Sequence, residues 1–300
     1  MNDFSKQSER TRRDAFVAVG QKLGLSEAIV EKDFYVVLML DLLFHHSSFH
    51  DHFAFKGGTS LSKSYGIIER FSEDIDVVMD WRLLGLTDDE VWQERSNTQQ
   101  DKFNRKINVQ AGVWIEEFLL PDLIETMEQL GLDKFRVYLR QEDRQTIIIE
   151  YPRSFELATI LPEIRLEIGP LAAWTPSEIK PIQSYVAEAI PHVFQESMTN
   201  IPTVEAKRTF WEKLTILHKE ANRRNDHSVR RISRHYYDVY MLGHSPVKNE
   251  AFEDLPLLDR VVNFKKKFYL DNSAKYEDAT IKKIETHAQR INSSTIAARL

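Results

Sequence analysis

Asp74 and Asp76, two carboxylates one residue apart in the run RFSEDIDV, are the side chains here best suited to hold a divalent cation. On a β-strand, residues i and i+2 point to one face, so the pair offers hard oxygen ligands from one side of a rigid element. Upstream lies Gly57-Gly58-Thr59-Ser60. The two glycines follow a short mixed segment, His52–Lys56, and open a helical pattern, so the backbone N–H groups of Thr59 and Ser60 can face an anion. A phosphate-cradling turn beside a cation-holding carboxylate pair is what phosphoryl or nucleotidyl transfer needs. There, metal ions clamp a triphosphate and stabilise the attacking and leaving oxygens. An Asp-x-Asp pair alone equally marks a strand with a solvated acidic face; the glycine turn before it favours chemistry.

Around this core, Lys56, Lys63 and Arg70 flank the turn. Lys63 lies one turn into the helix, within reach of a phosphate, or else is an ordinary exposed helix lysine. Ser72 precedes the acidic pair, where it orients a metal-bound water or caps the turn. The histidine run 45–52 fits none of the common metal-ligand spacings and falls at a helix-to-loop junction, so solvent-facing histidines are expected there.

The elements that must position these residues are legible in outline. Residues 9–23 and 26–44 read as helices separated by Gly24-Leu25-Ser26, with Ser26 as N-cap and Glu27 in the first turn. Thr59–Arg70 has helical periodicity with Leu61, Tyr65 and Ile68 on one stripe. Ser72–Met79 reads as a strand, 88–131 as helix-rich, and Phe135–Arg140, Thr146–Tyr151 and Glu163–Ile168 as three more strands. Five prolines between Pro170 and Pro202 place an inter-domain connection near the end of that stretch. Beyond Val204 the pattern is helical, at 203–221, 229–243, 252–269 and 275–291. The expected fold is α+β, bilobed, with a mixed-sheet domain at 1–200 and an all-α domain at 201–300.

Composition narrows the class. The chain has 300 residues, 42% of them hydrophobic and 29% charged, enough for a substantial core and incompatible with a disordered or coiled-coil protein. Its net charge of −6 argues against a histone-like binder. There is no cysteine, which excludes disulfide scaffolds, thiolate zinc sites and cysteine nucleophiles and fits a reducing cytoplasm. The polar start carries no signal-peptide pattern, and the most apolar run, Phe34 to Phe44, is too short to span a bilayer and contains Asp41. Against the acidic total, residues 205–235 hold nine basic residues and four acidic ones, a candidate triphosphate or RNA-backbone surface.

With these residues in view, GGTSLSK…RFSEDIDV resembles the signature of the AbiEii-like nucleotidyltransferases, the toxin family that includes the AbiE and MenT toxins, within the DNA polymerase β-like superfamily. VEKDFYVVLML (Val30–Leu40) is similar to the family's N-terminal helix, LPEIRLEIGP (161–170) to its later core strand, and FWEKLTILHKEANRRND (210–226) and SRHYYDVYML (233–242) to its two C-terminal helical motifs. Together they span roughly residues 25–245 in the family's order. The resemblance implies a nucleotidyltransferase lobe and a helical lobe with NTP between them. Gly57, Gly58, Thr59, Ser60, Lys63 and Ser72 would then serve nucleotide binding, and Asp74 and Asp76 would hold Mg²⁺. Lys213 would meet the triphosphate, and Asp238 matches the aspartate of the second helical motif. That motif usually reads Arg-Asp-x-x-Asp; here it is Arg234-His235-Tyr236-Tyr237-Asp238. Without the resemblance, Asp238 would simply pair with Arg234. A third carboxylate is expected on a neighbouring strand, with Glu167 first and Glu163 second, helping to orient or deprotonate the acceptor hydroxyl.

The implied protein is the toxin of a toxin–antitoxin pair that transfers NMP from NTP to an acceptor, as some relatives do to the 3′ end of tRNA, and that meets a cognate antitoxin. A non-catalytic nucleotide-binding module of the same fold is the alternative, but such a descendant has no reason to retain both aspartates beside Gly-Gly-Thr. A sugar-nucleotide glycosyltransferase using the Asp-x-Asp is disfavoured by the missing βαβ pattern and the all-α second half.

Overall fold

The computed structural model describes residues 1–173, 175–222 and 232–279. The first compact unit comprises Met1–Gln93 and Arg105–Val204, the second Glu94–Asn104 and Glu205–Leu300. Helices α1 (Asn2–Ser5), α2 (Glu9–Leu23) and α3 (Glu27–Asp41) come first; α3 starts where Ser26 accepts the Ala28 N–H, and a π-turn, Leu42–His46, follows it. Next come β1 (Phe53–Lys56), α4 (Gly57–Lys63) and β2 (Ile75–Met79), then helices α5 (Asp88–Trp92), α6 (Asn97–Trp114) and α7 (Leu120–Gln129). Strands β3 (Arg136–Arg140), β4 (Asp143–Glu150), β5 (Ile164–Gly169) and β6 (Ser177–Ile182), helix α8 (Tyr185–Ala189) and β7 (Thr199–Val204) complete the first unit.

The seven strands form one mixed sheet in the order β3-β4-β5-β2-β1-β7-β6, with β2/β5 and β1/β7 parallel and the other pairs antiparallel. The protein is α+β. Alternation along the strands sorts the sheet's faces: on β5, Ile164, Leu166 and Ile168 are buried while Arg165 and Glu167 are half-buried. The apolar side joins one core with Phe53, Phe55, Ile75, Val77 and Ile147 and with α3, which is apolar all round from Phe34 to Leu40, as a fully buried helix must be. Among the described residues no helix is long and apolar enough to cross a membrane.

Three expectations shift. The helix after the glycines ends at Lys63 rather than Arg70, because Gly66 takes a left-handed φ of +61° and turns the chain back. In that turn the Ile67 N–H bonds to Leu61 O at 2.9 Å and the Gly66 N–H to Ser62 O at 3.1 Å. Strand β2 begins at Ile75, so Asp76 lies in the strand and Asp74 one residue before it. The proline-rich stretch also contributes two strands, β6 and β7. Pro181 sits on the sheet's edge strand, where a missing N–H is tolerated, and β7 meets β1 at the single pair Phe55↔Thr203.

In the second unit, α9 (Ala206–Ala221), α10 (Ile232–Gly243), α11 (Val247–Glu253) and α12 (Leu255–Phe268) follow without a strand among the described residues. Phe210, Leu214 and Leu217 are buried on the expected stripe of α9, and Trp211 packs on Phe252 with ring centroids 5.4 Å apart. The Lys265 ammonium of α12 donates to Glu212 O of α9 at 2.8 Å. Most of the helix expected at 275–291 lies outside the described residues.

Candidate active site

The sheet register gathers the acidic residues. Lys56 pairs with Asp76 across β1/β2, Asp76 with Glu167 across β2/β5, and Glu167 with Thr146 across β5/β4, so the four form one row over four strands. Neighbours in such a row project to the same face. Asp74, two residues before Asp76 in the loop, is near enough to Glu167 to act on its carboxyl. Burial pushes the Glu167 carboxyl up to about 7, helped by the negative charges of Asp76, Asp74 and Asp143 and opposed by Arg165. It is Glu167, not Glu163, that stands beside Asp76. Glu163 lies just ahead of β5 and is tied to the Arg165 guanidinium at 2.9 Å.

The glycine turn is shaped around these groups. Gly57 has φ +83°, and a Cβ there would fall 2.0 Å from Asp76 Oδ2, so the absent side chain is what lets the carboxylate seat against the turn. A Cβ on Gly58 would lie 2.8 Å from both Arg70 Nη2 and Ser72 Oγ. Arg70, read from the sequence as the end of the helix that follows the glycines, is thereby brought onto the turn itself. The buried Thr59 hydroxyl donates to Asp74 O at 2.5 Å and lies 3.0 Å from Ser72 Oγ, while Ser60 Oγ donates to Gly57 O at 3.0 Å. These two hydroxyls brace the turn and the Asp74 loop; only their backbone N–H groups are left to the anion role.

Lys63, expected near a phosphate, is engaged with other groups instead. Its side chain is 7% exposed, its ammonium sits 2.5 Å from Asp33 Oδ1, donates to Gln183 O at 3.1 Å and lies over the Tyr185 ring at 3.8 Å. Lys63 is the last residue of α4, and its partners lie on α3 (Asp33), at the start of α8 (Tyr185) and just before that helix (Gln183).

In the second unit, Lys213 and Asp238 form a buried pair, Nζ to Oδ2 2.8 Å, joining α9 to α10. Asp238 therefore holds Lys213 rather than Arg234, which is exposed, while His235 is half-buried. Other basic residues of the positive segment are matched nearby: Lys207 by Glu205 at 3.0 Å, Arg208 by Glu212 at 3.0 Å and Lys219 by Asp271 at 2.7 Å. Arg223, Arg224, Arg230 and Arg231 lie outside the described residues.

Among the described residues no group of three or more His, Asp or Glu side chains is arranged to hold a metal ion by itself, the histidine run included. A cation such as Mg²⁺ takes one or two carboxylates and completes its octahedron with water and phosphate oxygens. The donors fit it: hard oxygens on Asp74 and Asp76, with Asp76 seated where a Cβ on Gly57 would collide.

Family comparison decides the class. The model of the nucleotidyl transferase AbiEii toxin family, a type IV toxin–antitoxin system, matches residues 41–298. The chain belongs to that family. It is accordingly a nucleotidyltransferase of the toxin–antitoxin kind, with a nucleotide substrate and an antitoxin partner. The match runs through the C-terminal stretch that the sequence motifs left out, and it starts after the Val30–Leu40 run. No curated protein matches the chain. Among solved structures, MenT4, a nucleotidyltransferase toxin from Mycobacterium tuberculosis H37Rv, is similar at 17% identity and a TM-score of 0.41, with 92% of this chain and 98% of that chain covered.

Proposed function

We propose that this AbiEii-family chain is a Mg²⁺-dependent toxin of the cytoplasm that transfers NMP from NTP to the 3′ end of tRNA, and that its cognate antitoxin opposes this transfer. The observation that supports the reading is the row Asp76–Glu167 beside Gly57, with Asp74 two residues from Asp76. Bound Mg²⁺ supplies charge neutralisation at the triphosphate and lowers the pKa of a coordinated hydroxyl.

The chain's own residues account for the remaining work. Asp74 and Asp76 hold the cation. The bare Gly57 and Gly58 let phosphate oxygens approach the backbone N–H groups of Thr59 and Ser60, and Arg70 adds a guanidinium at the same turn. Glu167, on the strand beside Asp76, accepts the acceptor's hydroxyl proton. That oxygen bonds to the α-phosphorus as the α–β bridging P–O bond breaks, and pyrophosphate leaves. Lys213 is given the triphosphate by its family motif, and Asp238 fixes its ammonium.

Incubation with each labelled NTP, Mg²⁺ and either total tRNA or total protein tests this. Label is expected in the tRNA fraction; label confined to protein would overturn the acceptor assignment.

A further inference from the structure

Three consecutive charged residues, Glu31, Lys32 and Asp33, are buried in α3 at 0%, 0% and 2% exposure. Charge in such a place is costly unless its oxygens and protons are matched. Each of the three finds its partners in a different segment. Glu31 accepts the Ser154 N–H at 2.7 Å and the Phe155 N–H at 3.1 Å. Asp33 accepts the Tyr185 N–H at 2.7 Å and binds Lys63. Lys32 donates to Glu73 Oε2 at 2.6 Å and to Leu161 O at 2.9 Å, and that same Glu73 oxygen accepts the Leu161 N–H at 3.1 Å.

The Lys32 contacts fall at a particular place. Glu73 immediately precedes Asp74, and Leu161 lies three residues before β5, the strand of Glu167. One ammonium thus ties the entry of β2 to the entry of β5, the two elements whose side-by-side register brings the carboxylates together. Stability alone does not call for an ion pair here, since apolar residues of similar volume commonly do as well.

We propose that Lys32, acting through Glu73, is a positioning residue that sets Asp74 against Asp76 for cation binding. This rests on Asp74 and Asp76 being the cation site. The lysine is not a ligand; its effect is the place of the Asp74 backbone, which Thr59 holds from the other side.

Two consequences of removing Lys32 have opposite signs, which makes the test sharp. Loss of a nearby positive charge strengthens cation binding, whereas a displaced Asp74 weakens it. The measurement is Mn²⁺ affinity of the full chain, read by electron paramagnetic resonance without nucleotide. For Lys32→Met the affinity is expected to fall about tenfold or more, the size usual for residues that orient metal ligands. Unchanged or tighter binding overturns the proposal. The double variant Lys32→Met/Glu73→Leu replaces both charges by apolar groups, so its melting temperature is expected to return toward that of the wild type while Mn²⁺ affinity stays low. Affinity that recovers together with stability overturns the positioning role, and the double variant carries the test if the single one does not fold. Asp74→Asn serves as the control. Wild-type binding that is absent, or unaffected by this substitution, would remove the cation site itself and the proposal with it.

Discussion

Gly57 is the residue at which the geometry leaves least freedom. A methyl group there meets the Asp76 carboxylate and forces an L side chain into a left-handed φ of +83°. Gly57→Ala is therefore expected to lose about 1–3 kcal/mol of stability and to abolish transfer in the protein that still folds, measured by denaturant melts and by label incorporation. Glu167 makes a different prediction in protein stripped of divalent cations. Its folded carboxyl titrates near 7, above its ordinary value of 4.5, so the native state holds the proton longer than the unfolded chain. Its contribution to stability is complete below the ordinary value and is lost as the pH rises through about 7. Glu167→Gln should flatten that part of the stability–pH curve, and an unchanged slope between pH 4.5 and 7 would contradict the raised carboxyl that burial first, and Asp76 and Asp74 after it, give Glu167.

At the scale of elements, α4 joins the glycine turn to the core through its far end. Lys63 is held there by Asp33, Gln183 O and the Tyr185 ring. Lys63→Met leaves Asp33 buried and uncompensated, and a loss of about 3–5 kcal/mol is expected, whereas KM for NTP in the folded protein should not change. A large rise in KM with stability intact would return Lys63 to the nucleotide. The sequence spoke clearly about some elements and not others, for physical reasons. The alternation Ile164-Arg165-Leu166-Glu167-Ile168 and the Ser26 cap are local signals, and both elements formed as their patterns say. Gly66 was equally local, but the stripe Leu61, Tyr65, Ile68 masked it. Strands β6 and β7 were hidden by Pro181 and Pro202, because whether a proline stands at a sheet edge depends on partners distant in the chain. The pairing of Lys32 with Glu73, forty-one positions apart, leaves no periodic trace at all. At the site, the acidic pair, the glycine turn and the ranking of Glu167 ahead of Glu163 were readable in the sequence, whereas the pairing of Glu167 with Asp76 needed the strand register.

For the whole molecule, four of the five basic residues described in the positive stretch 205–235, Lys207, Arg208, Lys213 and Lys219, each have an acidic partner. Removing Lys213 takes the cation from the fully buried Asp238, so Lys213→Ala should cost about 3–5 kcal/mol and also abolish transfer. Lys213→Met/Asp238→Leu should recover the stability without recovering transfer; activity restored in that double variant would show the lysine to be structural only. The central claim is that Asp74 and Asp76 hold the cation on which nucleotidyl transfer depends, and Asp74→Ala tests it most directly. With labelled NTP, Mg²⁺ and total tRNA, the wild type is expected to label RNA and release pyrophosphate, and Asp74→Ala to do neither while melting as a folded protein. Full transfer by Asp74→Ala would contradict the account.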